Sequence, residues 1–530
     1  MISAYTGTQV RLAEEPLLAA GLGDVLMQRA SHGLANAVIR ELKTRALRTY
    51  GASVTVLTGK GNNGGDGLYA AAFLAARGMR TTAILTADSA HPAALAAFER
   101  AGGRVRHLVD TAPGELAAEA ARADVVIDAV LGTGAKGGLR GSAADLVSAV
   151  AEARTRDARG FVVACDLPSG VDADTGAVSG PVLSADLTVT FGAAKTGLLA
   201  DPGADHAGRV EVVTIGIEKH LGTPKLHRLE EPDAARLLPH PPRRAHKYSR
   251  GVLGVVAGSA DYPGAAVLAC RGALAAGVGM VRYLGPPEVA DLVRQSCPEV
   301  VCSTGAVADN RVQAWLVGSG MGPEDQDQLQ RARDAVESGL PVVADAGALP
   351  ALPDTLAPNV VLTPHAGELA ALLKRLGGDE DRAAVEAGTL AAVRRAAVLT
   401  GATVLLKGAT TLIASPSGSV FSQADGTPWL ATAGSGDVLA GVIGALLSQA
   451  DSDVGSVRKS GMEPEVHWAA VAALGAALHG QAGRAASEAR SGGPIAAGGI
   501  ADSLPQVWGT VSTLSNSGVR KRNSHTQPLR

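Results

Sequence analysis

Apolar and polar positions follow two rhythms along the chain. Over residues 1–50 the rhythm is helical: Leu22, Val25, Leu26, Ala30, Leu34, Ala37, Val38 and Leu42 recur at spacings of three and four. From residue 53 it changes, and short runs of Val, Ile and Thr alternate with Ala-rich helical stretches. Strands are predicted at 53–58, 81–85, 104–108, 124–130, 161–165, 187–191 and 209–215. Continuous apolar runs of that length, separated by helical segments, fit parallel strands buried on both faces. The first half therefore reads as a doubly wound, Rossmann-like domain.

Residues 218–245 break the rhythm. They are rich in Pro, His, Arg and Glu, and read as an inter-domain connection. Alternation restarts at Gly251, with strands predicted at 252–257, 279–284, 314–318, 341–345, 359–363 and 402–406, and a hairpin over 411–415 and 419–423. Helices are predicted at 264–276, 324–337, 366–376, 381–398, 436–449 and 465–484. The expected organisation is two α/β domains, 1–225 and 232–511, followed by a disordered tail over 512–530.

Composition narrows the class. A chain of 530 residues exceeds what one core serves, so roughly two to four domains are expected. Apolar residues make up 46% and charged residues 19%, which fits a globular chain. A net charge of −3 gives no footprint for nucleic acid or a membrane surface. The locally basic end (Arg520, Lys521, Arg522) reads as solvated. Cys165, Cys270, Cys297 and Cys302 form no CxxC pair, which argues against zinc and for a reducing compartment. No signal peptide or membrane-spanning run is visible, so a cytoplasmic location is expected.

Three glycine-rich stretches fall at the carboxyl ends of predicted strands in the first half. Residues 59–67 read GKGNNGGDG and are followed by a predicted helix at 68–78. Asp128 precedes Gly132-Thr133-Gly134-Ala135-Lys136-Gly137-Gly138. Asp166-Leu167-Pro168-Ser169-Gly170-Val171-Asp172 closes a third strand. Glycines admit a phosphate close to the backbone, and helix N-termini supply free amides. Ligands of open α/β sheets bind at this edge. Taken alone, the first stretch can also be a polar turn, and Asp128 a turn-capping carboxylate.

Together, GKGNNGGDG, VVIDAVLGTG and DLPSGVDADTG resemble the N-terminal domain of the NAD(P)H-hydrate epimerase (YjeF N-terminal) family, over roughly residues 1–220. The resemblance implies that Asn63, Asp128 and Ser169 bind K⁺. It implies that Asn62, Asn63, Gly64, Gly65, Asp66 and the run from Gly132 to Gly138 (Gly132, Thr133, Gly134, Ala135, Lys136, Gly137, Gly138) cradle hydrated NADH or NADPH. Asp166 would lie near the reacting carbon and relay protons, provided that burial raises its pKa.

In the second half, AGSGDVLAG (433–441) opens an apolar helix. Amides of Gly434, Ser435 and Gly436 can form an anion hole, with Asp437 beside it as a base. Asp437 can equally be an ordinary first-turn acid. The segments HKYSRG, VGSGMGP, LTPHAGELAAL and LLKGATT accompany it. The set resembles the ribokinase-like NAD(P)H-hydrate dehydratase domain over roughly residues 232–510, with Tyr248 where the family form HKGSRG has Gly. The resemblance implies that Lys407, Gly408, Ala409, Thr410, Thr411 and Gly436 line an adenine nucleotide. Ala266, Gly322, His365 and Asp437 would contact the hydrated dinucleotide, and Asp437 would be the catalytic base. Without the resemblance, His365 reads as a helix cap. Mg²⁺ with ADP is the implied cofactor set, because fused bacterial members use ADP. A homo-oligomer acting on small molecules, without nucleic acid or membrane partners, is expected. Two rivals remain: a ribokinase-class small-molecule kinase, such as a hydroxymethylpyrimidine kinase, and a non-catalytic binding module.

Overall fold

A computed structural model describes residues 1–135, 137–156, 159–450 and 464–523, with the side chains of 464 and 514–523 outside the description. The chain forms two compact units, Ser3–Leu226 and Met1–Ile2 with His227–Arg530. No helix among the described residues is long and apolar enough to cross a membrane.

The N-terminal unit runs β1 (Ile2–Tyr5), α1 (Gly7–Ala19), α2 (Gly23–Thr44), β2 (Ser53–Thr58), α3 (Asn62–Ala76), β3 (Arg80–Leu85), α4 (Pro92–Arg100), β4 (Arg104–His107), α5 (Pro113–Ala121), β5 (Val125–Ala129), α6 (Gly141–Arg156), β6 (Phe161–Cys165), β7 (Leu187–Phe191), β8 (Ala194–Lys195), α7 (Gly203–Ala207) and β9 (Arg209–Val213). Seven strands pair in the order β4-β3-β2-β5-β6-β7-β9, all parallel. The apolar runs seen in sequence are buried on both sides. One core joins α2 and α3 to one face, and a second joins α5 and α6 to the other. Strand order reverses between β2 and β5, and there the loops after both strands diverge to leave a crevice. A short parallel pair, β1 with β8, places Tyr5 opposite Lys195.

The C-terminal unit contains β10 (Leu226–Arg228), α8 (Glu231–Leu237), β11 (Val252–Val256), α9 (Pro263–Ala275), β12 (Met280–Leu284), α10 (Pro287–Ser296), β13 (Val301–Ser303), β14 (Ala314–Val317), α11 (Gln326–Glu337), β15 (Val342–Ala344), β16 (Val360–Leu362), α12 (Ala366–Arg375), α13 (Arg382–Ala387), α14 (Thr389–Thr400), β17 (Thr403–Leu406), β18 (Thr411–Ala414), β19 (Val420–Gln423), α15 (Ser435–Gln449), α16 (His467–Glu488) and α17 (Ala497–Asn523). Strands β13-β12-β11-β14-β15-β16-β17 are parallel, and the hairpin β18–β19 continues the sheet antiparallel. Its reversal of strand order lies at β11 and β14. The Ala-rich helices α9 and α15 pack tightly: a Cβ on Gly441 would stand 2.2 Å from the Ala269 carbonyl.

Four features differ from the sequence reading. Helix α3 starts at Asn62 rather than after the glycine run. Its glycines serve close packing: a Cβ on Gly67 would lie 2.6 Å from that of Ala129. The segment 381–398 is two helices, because Gly388 adopts a non-helical conformation that ends one and begins the next. Strands β1 and β10 are too short to show a period. Finally, residues 512–523, expected to be disordered, continue α17 to Asn523. The helix is anchored upstream by buried Ile500, Leu504, Val507 and Val511.

Candidate active sites

In the N-terminal unit a cleft of about 900 Å³ opens at the strand tips. Its lining includes Asn62, Asn63, Asp66, Gly132, Thr133, Gly134, Ala135, Gly138 and Asp166 from the sequence-predicted set, joined by Glu14, Arg11 and Lys195. Gly64 and Gly65 do not line it: a Cβ on the first would strike the Gly59 carbonyl, and on the second the His91 ring. Gly137 instead lines a smaller cavity of about 120 Å³ with Gly132 and Ala135. Lys136 lies outside the described residues.

Asp166 sits just past β6 with φ +70, a left-handed conformation uncommon outside glycine. Its Oδ1 accepts from Lys195 Nζ at 2.5 Å and Thr190 Oγ1 at 3.1 Å, and its Oδ2 from Thr133 Oγ1 at 2.6 Å and Thr133 N at 3.1 Å. Burial alone would push this carboxyl up, but the Lys195 charge, the Lys195 hydrogen bond and those from Thr133 outweigh it and hold the pKa low. The raised pKa expected for Asp166 is therefore corrected: it is a carboxylate in a buried ion pair. Lys195 was missed in the sequence. Its signal was a single charge in the small, apolar stretch FGAAKTGLLA.

Asp66 behaves oppositely. It is 9% exposed and its Oδ1 has no hydrogen-bond partner. Burial raises its pKa well above the usual value, reinforced by Asp166 and Glu14, with Ser31 and Lys195 opposing. Glu14 is also raised, chiefly by burial.

The three residues expected to bind K⁺ come together. Ser169 Oγ donates to Asp128 Oδ1 at 2.6 Å, and Ser169 N to Asp128 Oδ2 at 2.8 Å. Asn63 Nδ2 donates to the Leu131 carbonyl at 3.0 Å, while Ser169 Oγ accepts from Leu131 N at 2.8 Å. Asp128 is fully buried with no cationic side chain among its partners. A buried carboxylate beside hydroxyl, amide and carbonyl oxygens fits a hard cation, which would offset the cost of the bare charge.

In the C-terminal unit, Gly434 (φ +86) caps α15, a conformation that suits glycine, and puts Asp437 in the first turn. The Ser435 N–H is taken by the Thr432 carbonyl at 3.3 Å, so of the three amides expected to form the hole this one is engaged. Buried His479 Nε2 lies 3.0 Å from the Ser435 carbonyl. Burial first, against that hydrogen bond, lowers its pKa to about 4, so the ring is neutral. Asp437 is raised to about 6 by burial and by the Asp345 carboxylate, against Ser319 and Lys407. Lys407 Nζ donates to Asp345 Oδ1 at 2.6 Å, and Thr363 Oγ1 to the same atom at 2.9 Å. Lys407 also stands 3.9 Å from Glu368.

Asp437, Lys407 and Gly436 are thus neighbours: a Cβ on Gly436 would lie 3.6 Å from Lys407 Nζ. His365 joins them through a parallel bridge to Lys407. Its Nδ1 accepts from the Gly367 and Glu368 amides at 3.0 and 3.2 Å, so it does cap α12, with a half-exposed ring beyond. Gly408 and Ala409 are exposed, and Thr410 and Thr411 lead into β18. Ala266 is buried in α9 and Gly322 faces open space. Asp345 and Ser319 were not singled out in the sequence. Asp345 is the last residue of the strand predicted at 341–345 and was visible there.

Two parallel-sheet α/β domains, each with carboxylates and a lysine at the strand tips, define a fused two-site enzyme. Residues 23–197 match the family described as YjeF-related protein N-terminus, and residues 253–505 that described as NAD(P)H-hydrate dehydratase. The bifunctional NAD(P)H-hydrate repair enzyme Nnr of Mycobacterium tuberculosis is 44% identical over 84% of this chain and 89% of that protein. The enzyme of the same name from Moorella thermoacetica is 34% identical over 95% and 96%. Among solved structures, an ADP/ATP-dependent NAD(P)H-hydrate dehydratase from Bacillus subtilis, co-crystallised with ATP and Mg²⁺, is 26% identical. It has a TM-score of 0.46 and covers 54% of this chain and 98% of that one. The chain belongs to the bifunctional NAD(P)H-hydrate repair enzyme family.

Proposed function

We propose that the N-terminal unit interconverts the R and S hydrates of NADH and NADPH, and that the C-terminal unit dehydrates the S form at the expense of ADP, giving AMP and phosphate. One observation carries the reading: Asp437, with a pKa of about 6, stands at an amide-rich helix start beside Lys407. A base poised near neutrality suits removal of a hydroxyl proton. As the C6 hydroxyl of the hydrate attacks the terminal phosphoryl group, its proton passes to Asp437 and AMP leaves. Phosphate then departs from C6 with its bonding pair. Loss of a proton from C5 restores the ring double bond. Hydroxide is a poor leaving group and phosphate a good one, which explains the use of a nucleotide.

Lys407 to Thr411 and Gly436 are assigned to the nucleotide, and Ala266, Gly322 and His365, with Asp437, to the hydrated dinucleotide. Asp345 and Glu368 both lie near Lys407, and Mg²⁺ brought with the nucleotide would supply charge neutralisation at its phosphates. In the N-terminal unit, Asn63, Asp128 and Ser169 would hold K⁺, which supplies fixed positive charge in the cleft. Free thiols at all four cysteines support a cytoplasmic setting, and a homo-oligomer is the expected assembly.

The test follows absorbance at 340 nm. A mixture of R and S hydrates is supplied with ADP, Mg²⁺ and K⁺. Full recovery of NADH, faster than spontaneous epimerisation allows, is the expected result. No recovery with ADP, or a stable phosphorylated alcohol, overturns the reading.

A further inference from the structure

The cleft of the N-terminal unit holds a carboxyl group with one oxygen left unpartnered. Asp66 lies in the second turn of α3, buried, with Oδ1 free of hydrogen bonds, and its residue lines the cleft. In the same cleft Asp166 is engaged on both oxygens by Lys195, Thr190 and Thr133. A buried carboxylate with one oxygen left unpaired is costly unless it holds a proton. The charged groups acting on Asp66 are Asp166 after β6, Glu14 from α1 and Lys195 from β8, with the Ser31 hydroxyl of α2 beside it. Two of the three charges are negative, and the single cation is committed to Asp166 at 2.5 Å.

Epimerisation at C6 requires breaking and remaking one C–O bond. The ring nitrogen can supply the electron pair, but hydroxide does not leave unaided. A general acid at the oxygen, and a carboxylate to balance the ring cation that results, are the two needs of the step.

Resting on the epimerase reading above, we infer that Asp66 is the proton donor to the departing C6 hydroxyl, and that the Asp166–Lys195 pair is the fixed anion beside the ring. The acid proton of Asp66 moves to the C6 oxygen as the C6–O bond breaks. Water leaves, and the nitrogen lone pair forms C6=N⁺. Water then adds to the opposite face: a C6–O bond forms, the C=N pair returns to nitrogen, and the surplus proton passes to a second water molecule. Exchange with solvent returns that proton to Asp66 and restores the starting state. The division of labour matches the general pattern in which neighbouring carboxyls are driven apart in pKa to serve as acid and anion.

The test uses the full chain and its Asp66→Asn and Asp66→Glu variants, assayed with purified R hydrate, ADP, Mg²⁺ and K⁺. Recovery of NADH from S hydrate, which needs only the C-terminal unit, checks that each protein is intact. Tight-binding titration with NADPH checks the N-terminal cleft. The expected result is a fall in R-hydrate turnover of about 10²–10⁴-fold in Asp66→Asn, with NADPH binding retained, partial return in Asp66→Glu, and a solvent deuterium effect in wild type that Asp66→Asn abolishes. Turnover of R hydrate by Asp66→Asn within threefold of wild type overturns the assignment. A fall in turnover with the deuterium effect intact overturns it too. If wild type itself recovers R hydrate no faster than the uncatalysed reaction, the epimerase reading fails instead.

Discussion

The two clefts solve one electrostatic problem with the same parts. Each has a carboxylate fixed by a lysine: Asp166 by Lys195 at 2.5 Å, and Asp345 by Lys407 at 2.6 Å. Each has a second carboxyl with a raised pKa: Asp66 in the first, Asp437 in the second. In both, the neighbouring paired carboxylate helps to push the second one up. The difference lies in depth. Lys195 is almost fully buried, whereas Lys407 keeps about a fifth of its side chain exposed. The first pair therefore acts as a sealed fixture. The second is partly open to solvent, which leaves its lysine room to turn away from Asp345. Burial decides whether the same motif positions charge or delivers it.

The comparison breaks most readily at Asp437. Replacing it with Asn is expected to lower kcat for S-hydrate dehydration by about 10²–10⁴-fold, with ADP affinity largely kept. Initial rates at 340 nm measure it, and a loss under fivefold removes the parallel.

Next is Lys195→Met, which strands the buried Asp166 charge. A cost of about 3–5 kcal/mol to the N-terminal unit is expected, partly recovered by adding Asp166→Asn. All four Trp residues (Trp315, Trp429, Trp468 and Trp508) lie in the C-terminal unit, so hydrogen exchange of peptides covering β6 to β8 is the suitable measurement.

Smaller is the effect of Asp345→Asn on pH dependence. Wild-type kcat/KM for dehydration should fall below pH about 6 as Asp437 protonates. Removing the Asp345 charge lowers the Asp437 pKa, so the acid limb of the profile moves to lower pH. An unmoved limb means that burial alone sets the Asp437 pKa.

Smallest is a stability effect at Asp66. Its folded-state pKa is raised above the unfolded value, so its contribution is most favourable below the unfolded pKa and declines as pH rises towards the folded one. Across that window the melting temperature of wild type should drop more than that of Asp66→Asn. Parallel curves contradict the burial argument.

Much of this was legible in the sequence, and the gaps have physical causes. Strands buried on both faces announce themselves as apolar runs, and those predicted at 53–58 and 161–165 match the observed spans. Glycine-rich tips marked both clefts. Pairing partners were harder, because Lys195 is brought to Asp166 by the two-residue β8, which carries no period. Asp166 was singled out, but its protonation depends on that lysine, so its expected pKa had the wrong sign. Asp437 was read correctly as a group near a helix start. The Asp345 that raises it lies 92 residues earlier, on another strand tip.

The early start of α3 bears on the thermodynamics of ligand capture. Wound into a helix from Asn62, the segment presents first-turn amides at Asn62 and Asn63 whose directions are set in the free protein. A phosphate arriving there need not order a floppy segment, so the chain entropy is lost on folding and not on association. Calorimetry of a dinucleotide at this cleft should accordingly show little of the large opposing entropy that marks a disorder-to-order transition.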